Sequence, residues 1–241
     1  MKLPDQISTV VFDVGNTLHH LDHGFIAEVV TRHGWPVSGH EVAVAEYTAK
    51  AEVDAQFRAR RAGGDQDRRF SYFGTILRTL HVPTAALEGV LAALHAEDTR
   101  ESLWRVVDQT TLSVMAALRD RGFTLAVVSN ADGRVAASLH ARQLAQYFTT
   151  IVDSHVVGVE KPDARIFHIA LEACNAAAAQ ALHVGDIYEV DVRGARNAGL
   201  TPLLLDPLGR YGEVDCHRIA ALPELLALLP EAACRSAGPP P

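Results

Sequence analysis

Three aspartates, a serine and a lysine stand where runs of apolar residues stop or a helical pattern begins. Val10-Val11-Phe12 ends on Asp13, and Val14-Gly15-Asn16-Thr17-Leu18 follows. Leu125 to Val128 ends on Ser129-Asn130, and Lys161-Pro162-Asp163 precedes a helical pattern. Leu182-His183-Val184 ends on Gly185-Asp186, with Glu189 and Asp191 just beyond. A β-branched, apolar stretch that stops on a carboxylate beside Gly-Asn reads as a buried strand handing one acid to a loop. A carboxylate can attack phosphorus and form an aspartyl phosphate that water later cleaves. A dianionic substrate repels that carboxylate, so a bridging Mg²⁺ is expected, held by oxygen donors and several waters. Asp13, the Gly15 carbonyl and Asp186 are the expected metal ligands. Asp191 joins them as orienter of a metal-bound water, or else only caps the next helix. Ser129 can donate its hydroxyl and amide to phosphoryl oxygens. Lys161, one of three lysines with Lys2 and Lys50, can neutralise charge on a transferred phosphoryl group. Each residue has a plainer reading as a cap or a solvated charge; their joint placement favours the site.

The elements that must position these residues follow from hydrophobic periodicity. Residues 112–121 read as a helix closed by Gly122, followed by strand 124–128, helix 133–142, strand 150–153 and helix 163–174. Strand 182–184, helix 190–198, strand 201–205 and a last helix 223–229 complete the pattern. Such alternation implies an α/β fold, a Rossmann-like parallel-sheet core with helices on both faces. Every polar exit then lies at the carboxyl ends of the strands, where open α/β sheets bind ligands. Residues 22–105 are helical without convincing strands, and Thr84 is the expected cap of the fourth helix there. The expected organisation is a core of residues 1–21 and 106–232, an inserted helical cap at 22–105 placed as a lid, and a disordered tail at 233–241.

Composition sets the class. With 241 residues and 48% hydrophobic content, the chain can bury a sizeable core. A net charge of −7 and no basic stripe exclude nucleic acid as a partner. Three cysteines without paired spacing suit a reduced, cytoplasmic setting. The early apolar run is too short for a membrane span and contains Asp13. The expected partner is a small phosphorylated substrate, with no membrane, for a monomer or homodimer.

Taken together, Asp13-Val14-Gly15-Asn16-Thr17-Leu18, Ser129-Asn130, Lys161-Pro162-Asp163 and Gly185-Asp186 with Asp191 resemble the four motifs of the haloacid dehalogenase-like superfamily. Arg165-Ile166-Phe167 and the stretch Gly194 to Gly199 resemble its subfamily with a helical cap inserted after the first motif. The resemblance implies a Mg²⁺-dependent hydrolase with Asp13, Ser129 and Lys161 as catalytic residues. It further implies that Asn16, Thr17 and Asn130 support the substrate-binding loops.

One position departs from that pattern. Phosphatases of the family usually carry a second aspartate two residues after the nucleophile, which protonates the leaving group and activates water. Here Gly15 stands there, keeping the metal-binding carbonyl and losing the acid–base group. His19, His20 or Asp22 are the available substitutes, unless the substrate has a leaving group that needs no acid. A slow or non-catalytic phospho-ligand-binding protein is one alternative to a phosphatase. Others are a 2-haloacid dehalogenase and a phosphonate hydrolase with Lys50 as its imine-forming cap lysine. Arg58, Arg68, Arg69 and Tyr72 are candidates for setting specificity in the cap.

Overall fold

The computed structural model describes residues 3–4, 6–59, 65–230 and 232. The tail expected to be disordered, 233–241, lies outside them. The chain divides into two compact units, Met1–Leu18 with Val107–Pro241, and His19–Val106. After β1 (Thr9–Phe12) the second unit begins, with β2 (His20–Leu21), α1 (His23–Arg32), α2 (Gly39–Arg58), α3 (Asp65–Thr79), α4 (Thr84–Arg100) and β3 (Trp104–Val106). The first unit resumes with α5 (Gln109–Asp120), β4 (Thr124–Ser129), α6 (Val135–Ala141), β5 (Thr150–Asp153), α7 (Ser154–Val157) and α8 (Ala164–Ala173). It ends with β6 (Ala181–Gly185), a π-helical turn at Tyr188–Val192, α9 (Arg193–Asn197), β7 (Thr201–Leu205), β8 (His217–Ile219) and α10 (Leu225–Leu228).

The first unit is a six-stranded sheet in the order β5-β4-β1-β6-β7-β8, parallel throughout. The two-residue side-chain period divides its core into two layers. Val10, Phe12, Leu125, Val127, Leu182 and Val184 face Val114, Met115 and Leu118 of α5 and Leu139 of α6. Val11, Ala126 and Val128 face Ile166, Phe167 and Ala170 of α8 and Ala195 of α9. Strand order reverses about β1, because the chain first builds β4 and β5 on one side and then β6 to β8 on the other. A crevice opens outside the carboxyl ends of the strands at such a reversal, and Asp13 is the residue that β1 delivers there.

The second unit is four helices and a short antiparallel pair, β2 with β3, joining Leu21 to Trp104. Ser38 and Glu41 form a capping box at the start of α2. Glu46 on that helix accepts from the Tyr72 hydroxyl at 2.9 Å and meets His23 Nε2 at 2.8 Å. Asp22 accepts from the Phe25 amide to cap α1, and also pairs with Arg105 Nε at 2.9 Å. Asp22 is therefore occupied as a structural residue of its own unit. Among the described residues, no helix is long and apolar enough to cross a membrane.

Several elements differ from the sequence reading for local reasons. The pair β2–β3 and strand β8 are two or three residues long, too short to show a period. Helix α4 follows Pro83, which makes no side-chain cap, and Thr84 is its first helical residue rather than its cap. Helix α5 starts at Gln109 because Asp108 accepts from the Thr110 amide at 2.7 Å. The expected helix 190–198 is a π turn followed by α9. Helix α6 begins at Val135, since Gly133 adopts φ +92°.

Asp153, at the end of β5, fixes the loop that leaves Ser129. Its carboxylate accepts from the amides of Gly133 at 2.9 Å, Val135 at 3.3 Å and His155 at 3.0 Å. Asp153→Ala leaves these donors without an acceptor, at ~1–3 kcal/mol for each buried one. A loss of roughly 2–4 kcal/mol on urea denaturation is expected, with Asp153→Asn losing less; an unchanged midpoint would contradict this role.

Candidate active site

Asp13, Lys161, Asp186 and Asp191 converge at the carboxyl edge of the sheet, all buried. Lys161 Nζ donates to Asp13 Oδ1 at 2.6 Å and to Asp191 Oδ1 at 2.7 Å. Asp13, Asp186 and Asp191 each offer a carboxylate oxygen within 4.8 Å of the others. Three of these four residues leave the ends of adjacent parallel strands or the turn just beyond, which is why distant sequence positions meet. The register pairs Phe12 with Val127 and Val184, so Asp13 and Asp186 emerge side by side, and Ser129 leaves the neighbouring strand one residue beyond the level of Asp13.

Lys161 comes from a loop, and its backbone is held in place by Asn130. The Asn130 amide donates Nδ2–H to the Lys161 carbonyl at 2.9 Å and accepts from the Lys161 amide at 2.8 Å. Both halves of the side chain are thus spent on the lysine's main chain. Lys161-Pro162 is a cis peptide.

Asp191 accepts four hydrogen bonds. Oδ1 takes Lys161 and His183 Nε2, the latter at 3.0 Å. Oδ2 takes the amides of Asp186 at 3.2 Å and Ile187 at 3.0 Å. Four is about the lone-pair capacity of a carboxylate, so Asp191 is fully committed. Only glycine at position 185 allows this: a Cβ there would stand 2.2 Å from Asp191 Cγ. His183 was not singled out in the sequence, since one histidine inside an apolar strand reads as an ordinary core residue.

Asn16, in the left-handed region at φ +55°, and buried Thr17 lie on the turn after Asp13. The amides of Thr17 and Leu18 close that turn onto the Val14 carbonyl. The Thr17 hydroxyl has no hydrogen-bond partner, and Gly15 is half-buried. Glu189 is outside the carboxylate group and pairs with Arg193 at 2.8 Å. In the second unit, Lys50 is buried with its Nζ 4.9 Å from the Tyr47 ring centre. Arg68 lies over Phe57 at 5.3 Å, Arg58 is exposed at the end of α2, and His19 is buried. The side chain of Arg69 lies outside the described residues.

Burial and charge pull the titrations apart. Desolvation raises the Asp13 carboxyl to about 7, with the Asp191 and Asp186 carboxylates adding to it and Lys161 opposing. Burial works against the Lys161 ammonium, but Asp13 and Asp191 outweigh it and hold it above the ordinary lysine range. Burial likewise works against ionised Asp191, yet Lys161 and His183 hold it below the usual carboxylate range. Desolvation lowers the His183 imidazole, against the opposing pull of Asp191, and so favours its neutral form.

The haloacid dehalogenase-like hydrolase family matches residues 7–199. The chain belongs to this family. The human haloacid dehalogenase-like hydrolase domain-containing protein 3 is 28% identical over 248 residues, covering 98% of this chain and 97% of that one. Glyceraldehyde 3-phosphate phosphatase of Methanothermobacter thermautotrophicus is 25% identical over 213 residues, 83% of this chain and 86% of that one. A haloacid dehalogenase-like phosphatase of known structure from Thermococcus onnurineus superposes with a TM-score of 0.61 at 20% identity, over 95% and 100% of the two chains. Dehalogenases of known structure share the fold as well, so the fold alone leaves the chemistry open.

Asp13 has a pH consequence of definite sign. Its folded pKa, about 7, lies above the ordinary 3.8, so the folded protein binds the extra proton and stability falls as pH rises from about 4 to 7. Asp13→Asn removes this slope. In metal-free protein the stability of the variant relative to wild type should rise across that window, by at most order 4 kcal/mol on top of a pH-independent offset from the lost Lys161 pair, and level off above pH 7. A difference independent of pH in thermal melts would contradict it.

Proposed function

We propose that the chain is a Mg²⁺-dependent phosphatase of a small phosphorylated metabolite, acting through an aspartyl phosphate on Asp13. The observation that carries this reading is the Lys161 ammonium shared between Asp13 and Asp191, with Asp186 beside them. Three carboxyl groups cluster beside one ammonium, so with all three ionised, as a bound cation would require, the buried site carries two net negative charges and offers oxygen donors. That donor set fits Mg²⁺. Asp13, the Gly15 carbonyl and Asp186 would hold the ion, and Asp191, whose acceptors are filled, would stand beside it. When bound, Mg²⁺ supplies positive charge that lets a phosphate dianion approach Asp13.

Lys161 holds Asp13 Oδ1 and leaves Oδ2 to attack phosphorus as the P–O bond to the leaving group breaks. The same ammonium then balances charge on the phosphoryl oxygens, and the Ser129 hydroxyl donates to one of them. Water attack on the aspartyl phosphate releases inorganic phosphate and restores the carboxylate. Gly15 offers no proton to the leaving group, so substrates with acidic leaving groups are favoured. The phosphatase named among the relatives agrees with phosphoryl transfer. A cytoplasmic setting is part of this reading; neither Cys174 nor Cys216 is in a disulfide among the described residues. Gly15 also supports a second reading, a protein that binds a phosphorylated ligand without turnover.

Wild type should hydrolyse p-nitrophenyl phosphate and acetyl phosphate only with Mg²⁺, and Asp13→Ala should abolish this. Gly15→Asp should raise turnover of alkyl phosphates by about 10²–10⁴-fold, the typical worth of a positioned general acid. Tight Mg²⁺ and phosphate binding without turnover in wild type would favour the second reading. Chelator-resistant activity on 2-chloropropionate would replace both with dehalogenation.

A further inference from the structure

His183 is the one polar side chain of β6, and it is 1% exposed. The strand period turns it toward the layer that contains Phe167, whose ring stands edge-on at 4.9 Å between centroids and 85° between planes. Phe167 is itself fixed from behind, because a Cβ on Gly194 would come within 2.9 Å of it. An apolar residue would fill this position without the several kcal/mol that burying an imidazole costs when its hydrogen bonds go unmade. Nδ1 meets no partner in good hydrogen-bond geometry, although the Val11 backbone lies close enough to favour the protonated ring, and the side-chain bond of the ring runs from Nε2 to Asp191 Oδ1.

We propose that His183 is a positioning residue for Lys161: its Nε2–H, donated to Asp191 Oδ1, fixes the oxygen that delivers the ammonium to Asp13. The geometry allows no looser arrangement. Oδ1 receives His183 and Lys161, and Oδ2 receives two backbone amides, so the carboxylate is held against rotation about its own bond. Removing the imidazole N–H vacates one of the two acceptor directions on the oxygen that Lys161 uses. The ammonium then has room to follow Asp191 away from Asp13. Because the acceptor is a carboxylate, the neutral ring must carry its proton on Nε2. The hydrogen bond of His183 goes to Asp191 and not to Asp13, so its proposed effect passes through Asp191 and Lys161.

The kinetic consequence rests on the proposed phosphoryl transfer at Asp13; the geometric one does not. His183→Leu keeps the volume and removes the donor, whereas His183→Gln keeps an N–H near the place of Nε2. With p-nitrophenyl phosphate and Mg²⁺, His183→Leu should lower kcat about 10–100-fold, in the range of partners that orient site groups. KM should change less than about threefold, and His183→Gln should recover most of kcat. Equal kcat per folded molecule in wild type and His183→Leu would overturn the proposal. A second readout needs no activity. In metal-free protein, ¹H–¹⁵N spectra should show the Nε2–H tautomer of His183, and the Lys161 ammonium signal should shift or broaden in His183→Leu and return in His183→Gln. An Nδ1–H tautomer, or a Lys161 signal indifferent to both substitutions, would overturn the proposal even if wild type hydrolyses no phosphate ester. Loss of turnover with the spectral pattern intact would instead fault only the phosphatase reading.

Discussion

The structure of the site depends on one buried cation. Lys161 is 1% exposed and lies between two carboxylates. An ammonium in such a place is tolerable only if paired with good geometry, and removing one partner of a buried pair typically costs ~3–5 kcal/mol. The surrounding features follow from that requirement. Asn130 pins the lysine's main chain through both atoms of its amide. Two backbone amides and His183 lock Asp191. Gly185 leaves the space into which the Asp191 side chain folds. The parallel register brings β1 and β6 together so that Asp13 and Asp186 meet at one edge.

The same arrangement explains how one chain can keep chemically similar groups in different states. Asp13 and Asp191 both bond Lys161, yet burial pushes Asp13 up and the fuller set of donors holds Asp191 down. Asp191 spends its acceptors on structure and keeps its charge. Asp13 has one oxygen on Lys161 and lies where the strand order reverses, which suits it to the role of nucleophile. In the proposed phosphoryl transfer, Gly15 would shift the burden to the substrate, whose leaving group would depart without a proton from that position. Asp22 is not a substitute available for free, since its carboxylate caps α1 and pairs with Arg105.

Much of this was legible in the chain because apolar runs that stop on polar residues mark strand ends. Asp13, Ser129 and Asp186 could be placed on one sheet edge for that reason, and the alternation of helix and strand gave the parallel sheet. Lys161 stood out by the scarcity of lysine. What could not be read depends on side-chain direction. Nothing in the spacing of Asp186 and Asp191 shows that Asp191 turns back over Gly185 to accept four hydrogen bonds. His183 sits in an apolar strand, and only the structure shows that its Nε2 bonds Asp191 in the site. The π turn at Tyr188–Val192 replaces the expected start of a helix, and it is this turn that carries Asp191 back to Gly185. Short pieces such as β2, β3 and β8 lack the length for a period to appear.

The most direct test of the account is to quench the enzyme during turnover of acetyl phosphate with Mg²⁺, reduce it with borohydride and map the product by mass spectrometry. Phosphoryl transfer to Asp13 predicts that residue 13, and no other, is recovered as homoserine, and that Asp13→Asn shows none. Turnover with no reduced residue, or with the label on a different side chain, would contradict an aspartyl phosphate at Asp13.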